Sequence, residues 1–234
     1  MSFSRKEAPH CDRCPFKNRC FFNQLDRPTQ NEWIGLRVAK RFRDGEAIFY
    51  EGEKPTGIYV VCSGKIKLMK SSRTGQQLIT RMMGPGQLFG YRSLLARETY
   101  SSMAEAMEDS VISFIPEVDF YNFLMNHPNA SMSLLRQLSL DLRQGEDKAR
   151  DIAYKSARAR LCDLLLRIMQ VNARKQSVVS GIKRKELAEM AGLTVETTVR
   201  LLSTFESKGL IKRQAKDILI LDEDRARIIA GLSN

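Results

Sequence analysis

Three cysteines near the start of the chain, Cys11, Cys14 and Cys20, stand in a C-x2-C-x5-C array within HCDRCPFKNRC. Thiolates are soft ligands. Three so close together on a flexible segment can hold a soft metal, with a fourth ligand drawn from elsewhere. An iron–sulfur cluster and a segment without metal are equal candidates, and zinc is the lesser one. His10, beside Cys11, is a spare nitrogen ligand. Cys62 falls in strand phase with Ile66 and Leu68 and reads as a core side chain, and Cys162 sits in an amphipathic helix and reads as buried. A second constellation lies far along the chain, where Glu196 and Arg200 stand four residues apart and project from one helix face. Arginine can bond O6 and N7 of guanine, and glutamate can accept from the amino group of cytosine, so the pair can read a G·C step of DNA. An ordinary surface ion pair would carry the same two residues.

The elements that must hold this pair are two short helices within Ile182 to Ile211, IKRKELAEMAGLTVETTVRLLSTFESKGLI. Leu187, Ala188 and Ala191 give the first helix its apolar side, and Gly192 supplies the positive φ of a sharp turn. Thr194 caps a second helix, in which Val195, Val199, Leu202 and Phe205 are expected to pack inward. LIKRQAKDILIL then predicts two short strands around a polar turn, a wing that brings Lys212, Arg213 and Lys216 near the phosphates. Lys183 and Arg184, at the entry to the first helix, are further candidates for phosphate contact.

Charge supports a polyanionic partner. The chain of 234 residues has a formal net charge of +11. From Lys155 onward there are 16 Lys and Arg against 9 Asp and Glu, a net charge of +7. After Leu124 the only aromatic residues are Tyr154 and Phe205. That is too few for a base-stacking platform, so double-stranded DNA is favoured over single strands. No apolar run approaches the ~20 residues of a membrane span, and the N-terminus MSFSRKEAPHC lacks a signal-peptide core. A cytoplasmic location, no membrane partner, and cysteines that are reduced or ligated follow as expectations.

Eight of the 14 glycines lie between Gly45 and Gly90, and no proline follows Pro128. An α+β chain is therefore expected, with short strands first and helices after. Strand patterns in AIFYEGE, IYVVCSGKIKLM, QLITRMMGPGQLFG and SVISFIP predict an antiparallel β-barrel or jelly roll over 28–129, preceded by the cysteine segment 1–27. A long helix is expected over 130–154. Leu135, Leu138, Leu142, Gly145, Ala149 and Ile152 form its heptad seam, which points to a homodimer, whereas Leu134 is placed to pack on the barrel. A helix over Ala157 to Met169 and the winged helix-turn-helix complete a DNA-binding domain over 155–234.

This order of barrel, long helix and winged helix-turn-helix resembles the Crp/Fnr family of bacterial transcription regulators, over nearly the whole chain. LTVETTVRLL is its most specific part and is similar to the reading helix of the FNR-like branch. The resemblance implies base reading by Glu196 and Arg200, phosphate contacts from Thr194 and Thr197, and RNA polymerase as a partner. Val199 stands where that branch has a base-selecting serine, so the recognised sequence is expected to differ. The cysteine array is similar to the branch's cluster ligands, but the fourth ligand position falls at Ser113.

The barrel also resembles cyclic-nucleotide-binding domains, whose cassette here reads GQLFGYRSLLARETYSSMAEA. The effector pocket implied by that likeness comprises Gly90, Tyr91, Arg92, Tyr100 and Ser101. Tyr91 replaces the glutamate of cyclic-AMP binders and Tyr100 their arginine, while Arg92 or Arg97 could partly substitute. Two lost charge-assisted hydrogen bonds would cost roughly 3–6 kcal/mol, about a hundred-fold to over ten-thousand-fold in affinity. A vestigial pocket is the expectation, and a regulator answering to a small molecule is the alternative. A redox-responsive metal protein without DNA binding is a further alternative. An enzyme is disfavoured, since His10 and His127 are the only histidines and no nucleophile elbow or phosphate loop occurs.

Overall fold

The computed structural model describes residues 3–172 and 175–232. Two compact units result: residues up to Gln76 with Thr80–Leu142, and Gln77–Ile79 with Arg143 onward.

In the first unit eight strands form two four-stranded antiparallel sheets. One has the order β1 (Val38–Phe42), β8 (Ser110–Pro116), β3 (Gly57–Ser63), β6 (Leu88–Phe89). The other runs β2 (Ala47–Phe49), β7 (Met103–Ala106), β4 (Ile66–Ser71), β5 (Gln77–Met83). This is the jelly-roll arrangement that closes a short-stranded chain on one core. The apparent single strand of IYVVCSGKIKLM is two, broken at Gly64 (φ 84°), where a Cβ would collide with Ser110. Strand alternation separates two apolar layers. Tyr59 and Val61 point into the barrel with Phe42, Phe49, Ile66, Leu68, Phe89 and Tyr100. Ile58 and Val60 point to the opposite face, which is covered by α1 (Arg27–Leu36), α3 (Glu117–Asn126) and the N-terminal segment.

That N-terminal segment is not loose. Cys11, Phe21, Phe22 and Leu25 are buried beside Trp33 and Phe123. Burying each phenylalanine contributes roughly 1.5–3 kcal/mol, enough to offset the ordering of several residues. His127, at the corner between α3 and the next helix, bonds Thr29 Oγ1 through Nδ1 (3.1 Å) and Glu32 Oε2 through Nε2 (2.8 Å), a structural use of the histidine.

Helix α4 runs Pro128–Tyr154, 27 residues or about 40 Å. Leu134 is buried in the first unit's core, while Leu135, Leu142, Gly145, Ala149 and Ile152 of the seam are exposed and Leu138 is half-buried. In the second unit, α5 (Ala157–Ile168) buries Cys162 and carries α8 (Glu223–Ala230) against it. A four-stranded sheet, β11 (Ile211–Gln214), β12 (Asp217–Ile220), β10 (Ser177–Val179), β9 (Gln170–Val171), extends the expected two-stranded wing. Among the described residues no helix is long and apolar enough to cross a membrane.

Candidate nucleic-acid interface and cysteine site

The helix pair is α6 (Arg184–Ala191) and α7 (Val195–Ser207). Leu187, Ala188 and Ala191 are buried as expected, and α6 ends at Gly192 in the left-handed conformation (φ 62°). Thr194 caps α7 by accepting from the Thr197 amide (3.1 Å) and donates to Thr197 Oγ1 (2.9 Å). The inward face of α7 differs from expectation. Thr198, Leu202 and Phe205 are buried, with the Thr198 hydroxyl satisfied by Thr194 O (3.0 Å). Val195 and Val199 are 45% and 41% exposed. Spacing alone makes either set a valid stripe, and the buried Thr198 hydroxyl finds its partner in the preceding turn.

With that face sealed, Val195, Glu196, Val199, Arg200 and Ser203 form one exposed stripe on the opposite side. Lys183 and Lys216 are also exposed, Lys216 in the two-residue turn of the wing after Ala215 (φ 48°). The Lys183 amide donates to Glu186 Oε2 (2.8 Å), which fixes the start of α6. Arg213, expected near the phosphates, is also engaged within the protein. Its amide and Nε both donate to Glu206, at 2.8 and 2.7 Å, tying the wing to the end of α7. Burial and the neighbouring Arg213 lower the Arg184 pKa from its ordinary value, marking a concentration of positive charge beside α6.

The cassette residues are brought together, but as packing. Gly90 (φ 83°) precedes α2 (Tyr91–Ala96). Tyr91 is buried, and its hydroxyl donates to Asp141 of α4, which also pairs with Arg81. Tyr100 stacks on Phe49 with ring centroids 3.7 Å apart. Tyr59, Phe89, Phe114 and Phe3 continue the ring cluster. Arg92 and Ser101 face solvent.

All five cysteines are free thiols. Cys11 is buried, Cys14 and Cys20 are half-buried, and His10 is exposed. Cys62 does not share a layer with Ile66 and Leu68. It is the bulged residue between Val61 and Ser63 in β3, in phase with Ile58 and Val60, on the face the N-terminal segment covers. The reading across Gly64 missed this; counting parity from Ile58 would have found it. Cys62 Sγ lies 3.0 Å from Ser113 Oγ. Burial pushes the Cys11 thiol up to about 12, opposed by the nearby Arg37. Burial also raises Cys20 and Cys62. Ionising any of Cys14, Cys20 or Cys62 would raise the Cys11 thiol further, which places the four thiols near one another. As a donor set, clustered thiols beside a buried guanidinium fit an anionic thiolate-bound group.

Comparison with known proteins agrees with this architecture. Residues 39–127 match the cyclic nucleotide-binding domain, and residues 159–225 match the Crp-like helix-turn-helix domain. A cyclic AMP receptor protein of Thermus thermophilus is 29% identical over 171 residues, 73% of this chain and 78% of that protein. The fumarate and nitrate reduction regulatory protein of Salmonella typhimurium is 25% identical over 229 residues, 96% of this chain and 91% of its own length. The structure of FixK2 from Bradyrhizobium japonicum superposes with a TM-score of 0.74 at 22% identity, covering 85% of this chain and 99% of that one. Sensor barrel, long helix and reading head thus occur together in the same order, and the chain belongs to the Crp/Fnr family of bacterial transcription regulators.

Proposed function

We propose that the chain acts as a homodimer that reads a two-fold DNA site through α7. The observation that carries this is the exposed stripe of Glu196, Val199 and Arg200 on a helix whose other face is sealed by Thr198, Leu202 and Phe205. Glu196 and Arg200 take base edges, Val199 offers an apolar contact such as a thymine methyl would accept, and Thr194, Thr197, Lys183, Arg184 and Lys216 take phosphates. The solvent-exposed seam of α4 supports self-association, and two copies would set half-sites about 34 Å apart. The working division is a cysteine segment (1–27), sensor barrel (28–129), dimerisation helix (130–154) and DNA-binding domain (155–234), with RNA polymerase as the further partner the family implies. Selection from random duplexes, read together with sedimentation, tests the proposal. A palindromic motif bound by a dimer is expected. A monomer, or binding without a motif, refutes it and leaves a metal-binding redox protein.

The signal is assigned to the N-terminal thiols rather than to the barrel. Supporting this, the stacked rings of Phe49, Tyr59, Phe89 and Tyr100 occupy the barrel interior, and by the family resemblance Tyr91 and Tyr100 stand where cyclic-AMP binders carry their charged partners. An iron–sulfur cluster bound by the cysteines would supply oxygen- or nitric-oxide-sensitive chemistry. The chain's own part is to order residues 11–25 against the sheet and so bias the dimer between DNA-competent and incompetent states. Metal and sulfide content of protein purified without oxygen tests this, and an apo protein after reconstitution refutes it.

A further inference from the structure

The C-x2-C-x5-C array supplies three thiols, and the family's fourth position holds Ser113, whose hydroxyl is a poor ligand for iron. The chain has another sulfur at the same place. Cys62 reaches it from the adjacent strand, with its Sγ 3.0 Å from Ser113 Oγ. We propose that Cys62 is the fourth thiolate ligand of an iron–sulfur cluster held by Cys11, Cys14 and Cys20, with Arg37 as its buried counter-charge. The inference rests on the cluster reading given above.

Two sets of main-chain contacts bring the array to Cys62. Arg37 Nη2 donates to Pro9 O (3.1 Å), two residues before Cys11, while its Nη1 donates to Ser113 Oγ (3.3 Å) and lies 4.0 Å from Cys62 Sγ. At the other end of the array, Cys20 Cα lies 2.9 Å from where a Cβ on Gly86 would sit. The Gly86 amide in turn donates to Val61 O, next to Cys62 (2.8 Å). One guanidinium and one glycine therefore hold both ends of the array against β3.

Arg37 is the second observation. It is 4% exposed, its Nε has no hydrogen-bond partner among the described residues, and its other two nitrogens meet neutral groups: a carbonyl, a hydroxyl and a thiol. A buried cation without a counter-charge is costly. Four thiolates around an iron–sulfur core carry net negative charge, which removes that cost once the thiols have released their protons. An iron–sulfur cluster would take one thiolate from each of the four cysteines.

The test uses the full chain, purified without oxygen and supplied with ferrous iron and sulfide. Wild type and Cys162→Ser are expected to hold ~4 iron and ~4 sulfide per chain with broad visible absorbance. Cys62→Ser should lose at least about ten-fold in retention, and adding Ser113→Cys to it should restore the cluster, which also shows that the fold survives. Arg37→Gln should move the reduction potential to more negative values. Unchanged iron, sulfide and absorbance in Cys62→Ser would overturn the assignment while leaving the cluster intact. A wild type that takes up no iron, or only zinc, would remove the cluster reading itself.

Discussion

Asp141, near the middle of α4, accepts a hydrogen bond from the hydroxyl of Tyr91 at the start of α2. Arg81 pairs with the same carboxylate, and Gln137 donates to its other oxygen at 2.8 Å. Burial, followed by the contact with Asp141, raises the Tyr91 pKa, so the phenol stays a neutral donor. Tyr91 is thus a strut between α2 and the long helix.

Removing that carboxylate, itself buried, leaves a half-buried guanidinium and the Tyr91 hydroxyl unpaired. Asp141→Ala should cost about 3–5 kcal/mol of folding free energy. Asp141→Asn should cost less, because an amide still accepts from Tyr91. Denaturant unfolding followed by tryptophan fluorescence reads the first unit directly, since Trp33 is its buried reporter.

At the DNA face, Arg200→Ala should lose about 1–3 kcal/mol on the preferred duplex and loosen base choice at one position of each half-site. Lys183→Ala should weaken all duplexes alike and reduce the salt slope by about 1 per chain. Titrations on specific and random duplexes at several salt concentrations separate the two effects. Equal losses on both duplexes for both variants would contradict the base-reading role.

Leu142 is 65% exposed on the seam of α4. Leu142→Glu should yield a folded monomer by sedimentation, because like charges would face each other across a symmetric contact. Binding to a two-half-site duplex should fall at least about a hundred-fold as the second half-site loses its tether. An unchanged dimer would place the interface elsewhere.

Cys162 gives a pH signature to the second unit. Burial raises its thiol from the ordinary 9.0 to about 11. A raised folded pKa on an acid means stability that is complete below pH 9 and lost as pH climbs toward 11. The full effect is about 2–3 kcal/mol. Unfolding midpoints at pH 8 and pH 10.5 should differ accordingly in wild type, and the difference should shrink in Cys162→Ala.

Local signals carried much of this molecule. The Gly192 turn, the Thr194 cap and the Leu134 anchor were all legible, because each depends on neighbours within one or two helical turns. What escaped depended on distant partners. Arg213 looked like any basic wing residue until Glu206 was found beneath it. Cys62 looked like core because its strand was read through Gly64 rather than broken there. Nothing local marks Arg37 or Asp141 as buried charges, since Ser113 and Tyr91, which bond them, lie 76 and 50 residues away. β9, β10 and α8 were too short or too polar to stand out by periodicity.

Gly86 carries a consequence for how input reaches output. Its φ of +91° already disfavours a side chain, and a methyl there would meet the main chain of Arg19 and Cys20 at 2.9 Å, atoms with no freedom to swing aside. The absent side chain is thus the keyhole through which the leading twenty-odd residues latch onto the barrel. An alanine at this one site would spring the latch and free the cysteine-bearing segment from the sheet it covers, while leaving the helix pair that faces DNA untouched.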